Sequence, residues 1–202
     1  MNQSVRILHL EDDASDAELV EAILASAGMV CQITRVQTGE SFHEALRQSE
    51  YDIILADFRL PTYDGISALR LAQQLARDVP FIFVSGIMGE DAAIEGLTEG
   101  ATDYVLKDKL MRLEPAVKRA LRDAENRQER KWAEEALRES EQMLKLVLDT
   151  IPVRVFWKNL DSNYLGCNRP FALDSGLQSP EAIIGRNDFE MGCGTGGSCA
   201  GC

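Results

Sequence analysis

The sequence predicts an α/β fold, in which a mostly parallel sheet of five strands carries helices on both faces and is followed by a long helix. In residues 1–110, short apolar runs alternate five times with segments whose apolar residues recur at helical spacing. The links between them are short, so consecutive units should build one sheet through crossover helices. After Pro115 the sequence holds no Gly or Pro until Pro152, which favours a continuous helix.

The first elements illustrate the alternation. The run "VRILHL" (5–10) predicts a strand, and the segment 15–28 places its apolar side chains on one helical face. Ser15 and Glu18 match a capping box at the start of this helix, and Gly28 suits its end. A second strand is predicted at 31–37.

The remaining elements follow in the same order along the chain. Each strand is a run of apolar residues, and each helix is amphipathic. Gly96 weakens the fourth helix. The predicted ranges are a helix at 40–49, a strand at 51–56, a helix at 66–76, a strand at 80–85, a helix at 90–100, a strand at 102–107 and a helix from near Leu110.

Charge excludes several classes of partner. The 202 residues carry 21 Lys and Arg against 33 Asp and Glu, a net charge of −12. Residues 1–111 hold 8 of the basic and 19 of the acidic residues. Such a chain repels phosphate backbones, so we expect no nucleic-acid partner. No stretch approaches the roughly 20 apolar residues of a membrane span, and no signal-peptide core is present, so we expect a cytoplasmic protein without membrane contact.

Asp57 directly follows the apolar strand, although burying an ionised carboxylate without a partner is costly. In open α/β sheets the ligand crevice lies beyond the carboxyl ends of the strands. Several polar residues share that position with Asp57. They are Glu11, Asp12 and Asp13 after the first strand, Ser85 after the fourth and Lys107 after the fifth.

These side chains predict a site for a phosphoryl group. Carboxylates so close together repel one another unless a cation or a proton intervenes. Oxygen ligands alone suit a hard cation such as Mg²⁺. Lys107 adds a fixed positive charge and Ser85 a hydroxyl donor, as phosphoryl oxygens require. Asp13 is assigned to capping the first helix instead.

Four segments carry a family resemblance: "ILHLEDD", "IILADFRLPTYDG", "FIFVSG" and "GATDYVLKD", spread in this order over residues 5–108. Together they resemble the receiver domain of two-component response regulators. The resemblance implies a flavodoxin-like (βα)5 fold. It also implies that Asp57 accepts a phosphoryl group from a phosphohistidine of a partner histidine kinase or phosphotransfer protein, with Mg²⁺ as cofactor.

The same resemblance implies roles for single residues. Asp12 would ligate Mg²⁺ directly with help from Glu11, and the other protein ligands would be Asp57 and the backbone carbonyl of Arg59. Three further residues are assigned from the family pattern: Ser85 and Lys107 to the phosphoryl oxygens, and Tyr104 to the aromatic that changes rotamer on activation. The pattern commonly has proline after the lysine, whereas this chain has Asp108.

Residues 112–148 predict a helical linker. Leu137, Ser140, Leu144 and Val147 follow the alternating spacings of three and four of a coiled-coil seam. The alternative is a single solvated helix with i,i+4 ion pairs. We favour a parallel homodimer through this helix, because a helix this long buries little by itself.

Residues 149–190 resemble the beginning of a PAS sensor domain, in which "VRVFWKNL" and "NYLGCN" would form a hairpin around residues 161–163. Most of a PAS pocket is missing, so we expect no ligand there. Residues 191–202 match nothing in a PAS domain. The spacing of Cys199 and Cys202, near Cys193, hints at metal or redox chemistry. We interpret this Gly-rich segment as a disordered or artefactual tail.

The predicted protein is thus a phosphoacceptor whose only catalysis assists its own phosphorylation and dephosphorylation. One alternative is the N-terminal fragment of a hybrid histidine kinase whose core lies elsewhere. A second is a Mg²⁺-dependent phosphohydrolase with Asp57 as nucleophile. Enzymes of the haloacid-dehalogenase type carry another aspartate two residues on, where this chain has Arg59. A third, a flavin or nucleotide module, is disfavoured because the acidic loop "EDDASDAE" lacks glycine.

Overall fold

The computed structural model describes residues 4–86 and 90–191, which divide into two compact units between Arg130 and Lys131. In the first unit, five parallel strands form one sheet in the order β2-β1-β3-β4-β5. The strands are β1 Val5–Leu10, β2 Cys31–Val36, β3 Ile53–Ala56, β4 Phe81–Ser85 and β5 Asp103–Leu106. The helices are α1 Ala14–Ser26, α2 Gly39–Gln48, α3 Gly65–Leu75, α4 Glu90–Thr98 and α5 Leu113–Thr150.

The predicted alternation of five strands and five helices is confirmed, with ends that shift by at most three residues. The strand order is that of flavodoxin-like folds. Both faces of the sheet are buried, which explains the continuous apolar runs. One face packs against α1 and α5, and the other against α2 and α3. In α4, Gly96 is required because a Cβ there would lie 2.9 Å from the ring of Phe83.

The predicted capping box of α1 is wrong in its residues. Asp13 is the N-cap, and its Oδ1 accepts hydrogen bonds from the backbone N–H groups of Ser15 (2.7 Å) and Asp16 (3.3 Å). Its backbone is extended, as the N-cap position requires, and its charge suits the positive end of the helix. The assignment of Asp13 to capping is therefore confirmed, and Ser15 lies inside the helix.

A 3-10 helix, Lys107–Arg112, connects β5 to α5. The first turns of α5 are buried against the sheet through Leu113, Ala116, Val117 and Ala120. The helix then continues without interruption to Thr150, as its composition predicted. Every side chain from Lys131 to Val147 is exposed. No helix in the described part of the chain is long and apolar enough to cross a membrane.

The second unit contains the end of α5 and a small antiparallel hairpin. Its elements are β6 Phe156–Lys158, β7 Tyr164–Cys167, α6 Arg169–Asp174 and a 3-10 helix, Pro180–Ile183. The predicted hairpin around residues 161–163 is confirmed. A small sheet of this kind does not establish a PAS domain, which stays a prediction. Cys193, Cys199 and Cys202 lie outside the described residues.

Candidate functional site

Lys107 lies at the centre of an acidic cluster at the carboxyl ends of the strands. Its Nζ is 2.7 Å from Oδ2 of Asp57, 2.6 Å from Oδ2 of Asp16 and 2.7 Å from Oε2 of Glu11. Glu11 follows β1, Asp57 follows β3 and Lys107 follows β5, so the parallel topology brings them together. The ammonium neutralises part of the charge that the carboxylates concentrate there.

Asp57 is held on both carboxylate oxygens. Only 8% of the residue is exposed. Its Oδ2 accepts a hydrogen bond from Lys107, and its Oδ1 accepts one from the backbone N–H of Arg59 at 3.1 Å. Its own backbone N–H donates to the carbonyl of Leu10 at 2.9 Å. The apolar strand therefore delivers a carboxylate that is buried with partners, which removes most of the cost of burial.

Glu11 is fully buried beside Lys107. Its Oε1 accepts from the backbone N–H of Asp13 at 3.1 Å. Its Oε2 is at ion-pair distance from Lys107 but lacks hydrogen-bond geometry. Burial raises the pKa of Glu11 above its ordinary value, while Lys107 opposes that shift. Asp12, by contrast, is exposed to solvent at the edge of the cluster.

The pKa of Lys107 is subject to two opposing effects, burial and the neighbouring carboxylates. Burial by itself would lower it, but the hydrogen bonds to Asp16 and Asp57 and the close carboxylate of Glu11 together raise it above the ordinary value. Lys107 is therefore a permanent cation. Asp16 was missed by the sequence analysis. Asp16 lies in the first turn of α1, which begins at the carboxyl edge of the sheet. That position in the sequence could have indicated that Asp16 is close to the site.

His9 lies behind this cluster on β1 and is completely buried. Neither ring nitrogen has a hydrogen-bond partner among the described residues. Burial lowers the pKa of His9 to about 4, and the charges of Lys107 and Arg35 act in the same direction. The imidazole is thus neutral at neutral pH.

Ser85 and Tyr104 lie on neighbouring strands. Ser85 ends β4, is buried, and pairs with Leu106 in the ladder to β5. The next residue, Gly86, would place a Cβ 3.8 Å from Cδ of Lys107, so this strand end adjoins the cluster. Tyr104 is half-buried against the sheet face that α2 and α3 cover. Residues 87–89 of the following loop lie outside the described part of the chain.

The loop after β3 is folded tightly over Asp57. The N–H of Gly65 donates to the carbonyl of Phe58 at 3.0 Å, and Arg59 pairs with Asp64 in a short bridge. A Cβ at Gly65 would lie 2.8 Å from the ring of Phe83 and 3.0 Å from the carbonyl of Asp57. Glycine therefore permits the loop to approach and fixes the backbone around Arg59.

The donor set can be compared with the needs of Mg²⁺. Within residues 4–86 and 90–191, no three His, Cys, Asp or Glu side chains are arranged to hold a metal ion. Three of the carboxylates converge on the Lys107 ammonium instead. Mg²⁺ is commonly bound by one or two carboxylates and several waters. Asp12, Asp57 and the Arg59 carbonyl supply only oxygen and fit that requirement, with the poorly satisfied Glu11 Oε2 nearby.

A five-stranded parallel sheet with carboxylates, a hydroxyl and a lysine at its carboxyl edge defines a flavodoxin-like protein with a charged crevice site. Residues 7–118 match the family model of the response regulator receiver domain, which is more than half of the chain. The chain belongs to the response regulator receiver domain family.

Relatives of known function agree with this assignment. The DNA-binding transcriptional regulator NtrC of Escherichia coli K12 is 34% identical over 98 residues, which are 48% of this chain and 20% of NtrC. The regulatory protein LuxO of Vibrio cholerae is 34% identical over 116 residues, which are 57% of this chain and 25% of LuxO. The chain thus corresponds to a quarter or less of the length of these regulators.

Solved structures show the same fold. The receiver domain of a sensor histidine kinase from Pseudomonas aeruginosa PAO1, with a magnesium ion coordinated in its active site cleft, is 30% identical with a TM-score of 0.52. The aligned region covers 59% of this chain and 98% of the solved receiver domain. A signal receiver domain of a histidine kinase from Syntrophus aciditrophicus is 28% identical, with a TM-score of 0.52 and coverages of 59% and 92%. The predicted receiver resemblance is therefore confirmed.

Proposed function

We propose that the first unit is the phosphoacceptor of a two-component phosphorelay, and that Asp57 accepts a phosphoryl group from a phosphohistidine of a histidine kinase or phosphotransfer protein. The observation that carries this proposal is the contact between Asp57 and Lys107, at 2.7 Å, inside an acidic cluster at the crevice edge. A carboxylate held beside a permanent cation is a nucleophile with a charge partner already in position for the incoming phosphoryl oxygens.

In the proposed reaction, a carboxylate oxygen of Asp57 forms a bond to phosphorus while the phosphorus–nitrogen bond of the phosphohistidine breaks. The imidazole keeps the electron pair of the broken bond. At Lys107, a contact with a phosphoryl oxygen replaces one of the three carboxylate contacts. The Ser85 hydroxyl donates a hydrogen bond to another phosphoryl oxygen. Mg²⁺, held by Asp12, Asp57 and the Arg59 carbonyl near Glu11, would neutralise the remaining phosphoryl charge.

The first prediction tests this chemistry directly. With Mg²⁺ and acetyl phosphate, the wild-type protein should gain one phosphoryl group by intact-protein mass spectrometry. Asp57→Asn should gain none, because an amide is a poor nucleophile in this position. Chelating Mg²⁺ with EDTA should abolish phosphorylation of the wild type. Asp64→Asn, which alters a helix cap in the same loop, is the matched control and should be labelled. Labelling of Asp57→Asn at the wild-type rate would refute the assignment.

The rest of the chain extends this proposal. We infer a receiver at 1–111, a helical linker at 112–148, a partial PAS domain at 149–190 and a tail at 191–202. The linker is proposed to form a parallel homodimer, which the exposed Leu137 and Leu144 on α5 support. We propose no contact of this chain with nucleic acid or membrane, because its first 111 residues are strongly acidic, and a cytoplasmic location goes with that proposal.

The output of the whole protein is a separate proposal. The solved receiver domains from Pseudomonas aeruginosa and Syntrophus aciditrophicus are parts of histidine kinases. Their likeness supports the alternative that this chain is the N-terminal part of a hybrid histidine kinase. A phosphohydrolase is disfavoured, since Arg59 takes the place of the required second aspartate. Either way, the described units act as a switch and not as an enzyme on another substrate.

A further inference from the structure

Arg35, near the end of β2, contacts the backbone that carries the acidic residues. Its Nε donates to the carbonyl of Glu11 at 2.9 Å, and its second guanidinium nitrogen donates to the carbonyl of Asp12 at 2.5 Å. The strand pairing places Arg35 beside His9, two residues before Glu11. Arg35 is half-buried; its hydrogen bond to Glu11 is partly shielded from water, whereas the one to Asp12 is exposed.

The two carbonyls belong to the two peptide groups that flank Asp12. One peptide group joins Glu11 to Asp12, and the next joins Asp12 to Asp13. Because a peptide group is planar, fixing both carbonyls fixes both planes that meet at the Cα of Asp12. The direction of its Cα–Cβ bond is then fixed as well. One guanidinium fork therefore helps to set the direction in which the exposed Asp12 side chain leaves the backbone.

Arg35 shares this task with one other contact, because the N–H of Asp13, in the second of these peptide groups, donates to Oε1 of Glu11 at 3.1 Å. The backbone N–H of Glu11 donates to the carbonyl of Val36 at 2.9 Å, which anchors the end of β1. On the other side, Asp13 is fixed as the N-cap of α1. Between these two anchors, Arg35 holds the carbonyl groups on either side of Asp12.

We propose that Arg35 is a positioning residue for Mg²⁺ binding, acting through the backbone on Asp12. The proposal rests on the metal role proposed for Asp12. Groups that orient metal ligands commonly change metal affinity by ten- to a hundredfold when they are removed. Here the group acts from a neighbouring strand and contacts no metal itself.

Charge and positioning predict opposite effects for this residue. Arg35 is a cation close to a site that binds another cation, so removing its charge alone should tighten Mg²⁺ binding. If its hydrogen bonds orient Asp12, removing it should weaken Mg²⁺ binding. The sign of the change therefore separates a positioning role from a merely electrostatic one, and a loss of fold stability without a change in affinity would mark a structural role.

The test is Mg²⁺ titration by calorimetry of the full chain and three arginine variants. Arg35→Met removes the fork and the charge, and Arg35→Lys keeps the charge but cannot form the fork. Arg70→Met is the matched control, because it removes one arginine charge and the surface ion pair with Glu99. We expect the dissociation constant to rise about tenfold in Arg35→Met. It should also rise in Arg35→Lys and stay at the wild-type value in Arg70→Met.

A second measurement uses the metal-free protein. Exchange of the Asp13 amide hydrogen, followed by NMR, should be faster in both Arg35 variants than in wild type and in Arg70→Met. Unchanged or tighter Mg²⁺ binding in the folded Arg35 variants would overturn the positioning role. Asp12→Ala is titrated as well. If neither wild type nor Asp12→Ala binds Mg²⁺, the proposed metal site is wrong.

The amide exchange tests the contact of Arg35 with the loop independently of the metal. Unchanged exchange in the Arg35 variants would show that Arg35 does not hold the loop.

Discussion

At the scale of single residues, the site is organised around one half-buried ammonium, that of Lys107. Lys107 makes ion-pair contacts with Glu11, Asp16 and Asp57, at distances from 2.6 to 2.7 Å. A phosphoryl group that binds Lys107 would compete with these carboxylates for the ammonium. The acidic cluster therefore holds Lys107 in place, and in the proposed phosphorylation it would compete with the phosphoryl oxygens.

A pH dependence of stability is expected from His9. Its pKa is about 4 in the folded state because of burial and the charges of Lys107 and Arg35, with Asp57 and Asp16 opposing them. In the unfolded chain a histidine titrates near 6.5. Below that pH the unfolded state binds the proton first, so the stabilisation present above about 6.5 is lost as the pH falls toward 4.

We predict that wild type loses about 2 kcal/mol more stability than His9→Leu between pH 7 and pH 5. Urea unfolding of metal-free protein, followed by circular dichroism, measures this difference. His43→Leu removes an exposed histidine from α2 and should keep the wild-type pH dependence. Equal losses in wild type and His9→Leu would show that His9 is not held neutral by the fold.

Residues differ in how well the sequence predicts them. Glu11, Asp57 and Lys107 were predictable because the end of a parallel strand fixes their position along the sheet edge. Asp16 and Arg35 were not, since their contacts depend on where α1 begins and on the register between β1 and β2. The low pKa of His9 depends on complete burial and on the charges of Lys107 and Arg35, which no local pattern reveals.

At the scale of elements, strands were easier to predict than helix ends. A strand buried on both faces is a continuous apolar run, as in β3, and its neighbours in the sheet follow from the crossover rule. The start of α1 was misassigned because Asp13 and Ser15 are both good N-caps. Only the backbone conformation, extended at Asp13 and helical from Ala14, decides between them.

In the second unit, Asn168 connects several elements. It is buried, and its Nδ2 donates to the carbonyls of Leu148 on α5 and Val153, at 2.8 and 2.7 Å. Its Oδ1 accepts from the backbone N–H groups of Val155 and Phe171, at 3.0 and 3.2 Å. One amide thus ties the end of α5 to the hairpin and to α6.

We predict that Asn168→Asp destabilises this unit by about 2 kcal/mol or more, because a carboxylate cannot donate to the two buried carbonyls. Tryptophan fluorescence during urea unfolding reports this unit through Trp157. Asn159→Asp is the matched control. Oδ1 of Asn159 accepts hydrogen bonds from the backbone N–H groups of Asp161 and Asn163, and a carboxylate can accept them too. The stability of the Asn159→Asp variant should therefore change little. Equal stability of the two variants would mean that the Asn168 donors are dispensable.

At the scale of the whole molecule, α5 is the element that both units share. It begins directly after the 3-10 helix whose first residue is Lys107, and it ends at Thr150. A displacement of Lys107 would therefore have to pass to α5 through this 3-10 segment, which has a kink at Lys109. From Lys131 to Val147 the helix buries no side chain within the chain, although helices in water are stabilised mainly by packing of an apolar face.

The seam on that exposed stretch favours a second copy of the chain as the packing partner. Leu137 and Leu144 are about 60% exposed, and Val147 continues the same spacing. Phosphorylation adds roughly −1.5 to −2 charges to a side chain. In the proposed switch it would draw Ser85 toward the phosphoryl group, beside Lys107, and let Tyr104 turn inward. A local charge that biases two discrete arrangements is the usual basis of such switches.

We predict that phosphorylation changes the register or rotation of paired α5 helices. Single cysteines at Leu137, Leu144 and, as an outward-facing control, Gln142 would be introduced after serine replaces the native cysteines. The two seam cysteines should cross-link copies more than Gln142→Cys, because a parallel pairing brings equivalent seam positions together. Mg²⁺ and beryllofluoride, a phosphoryl mimic, should shift the ratio of cross-linking between the two seam positions. The same addition to Asp57→Asn should leave that ratio unchanged.

Sedimentation would establish the dimer independently. A monomer in both states, or identical cross-linking with and without the mimic, would leave α5 as a passive tether, since nothing at Asp57 would then be transmitted along it.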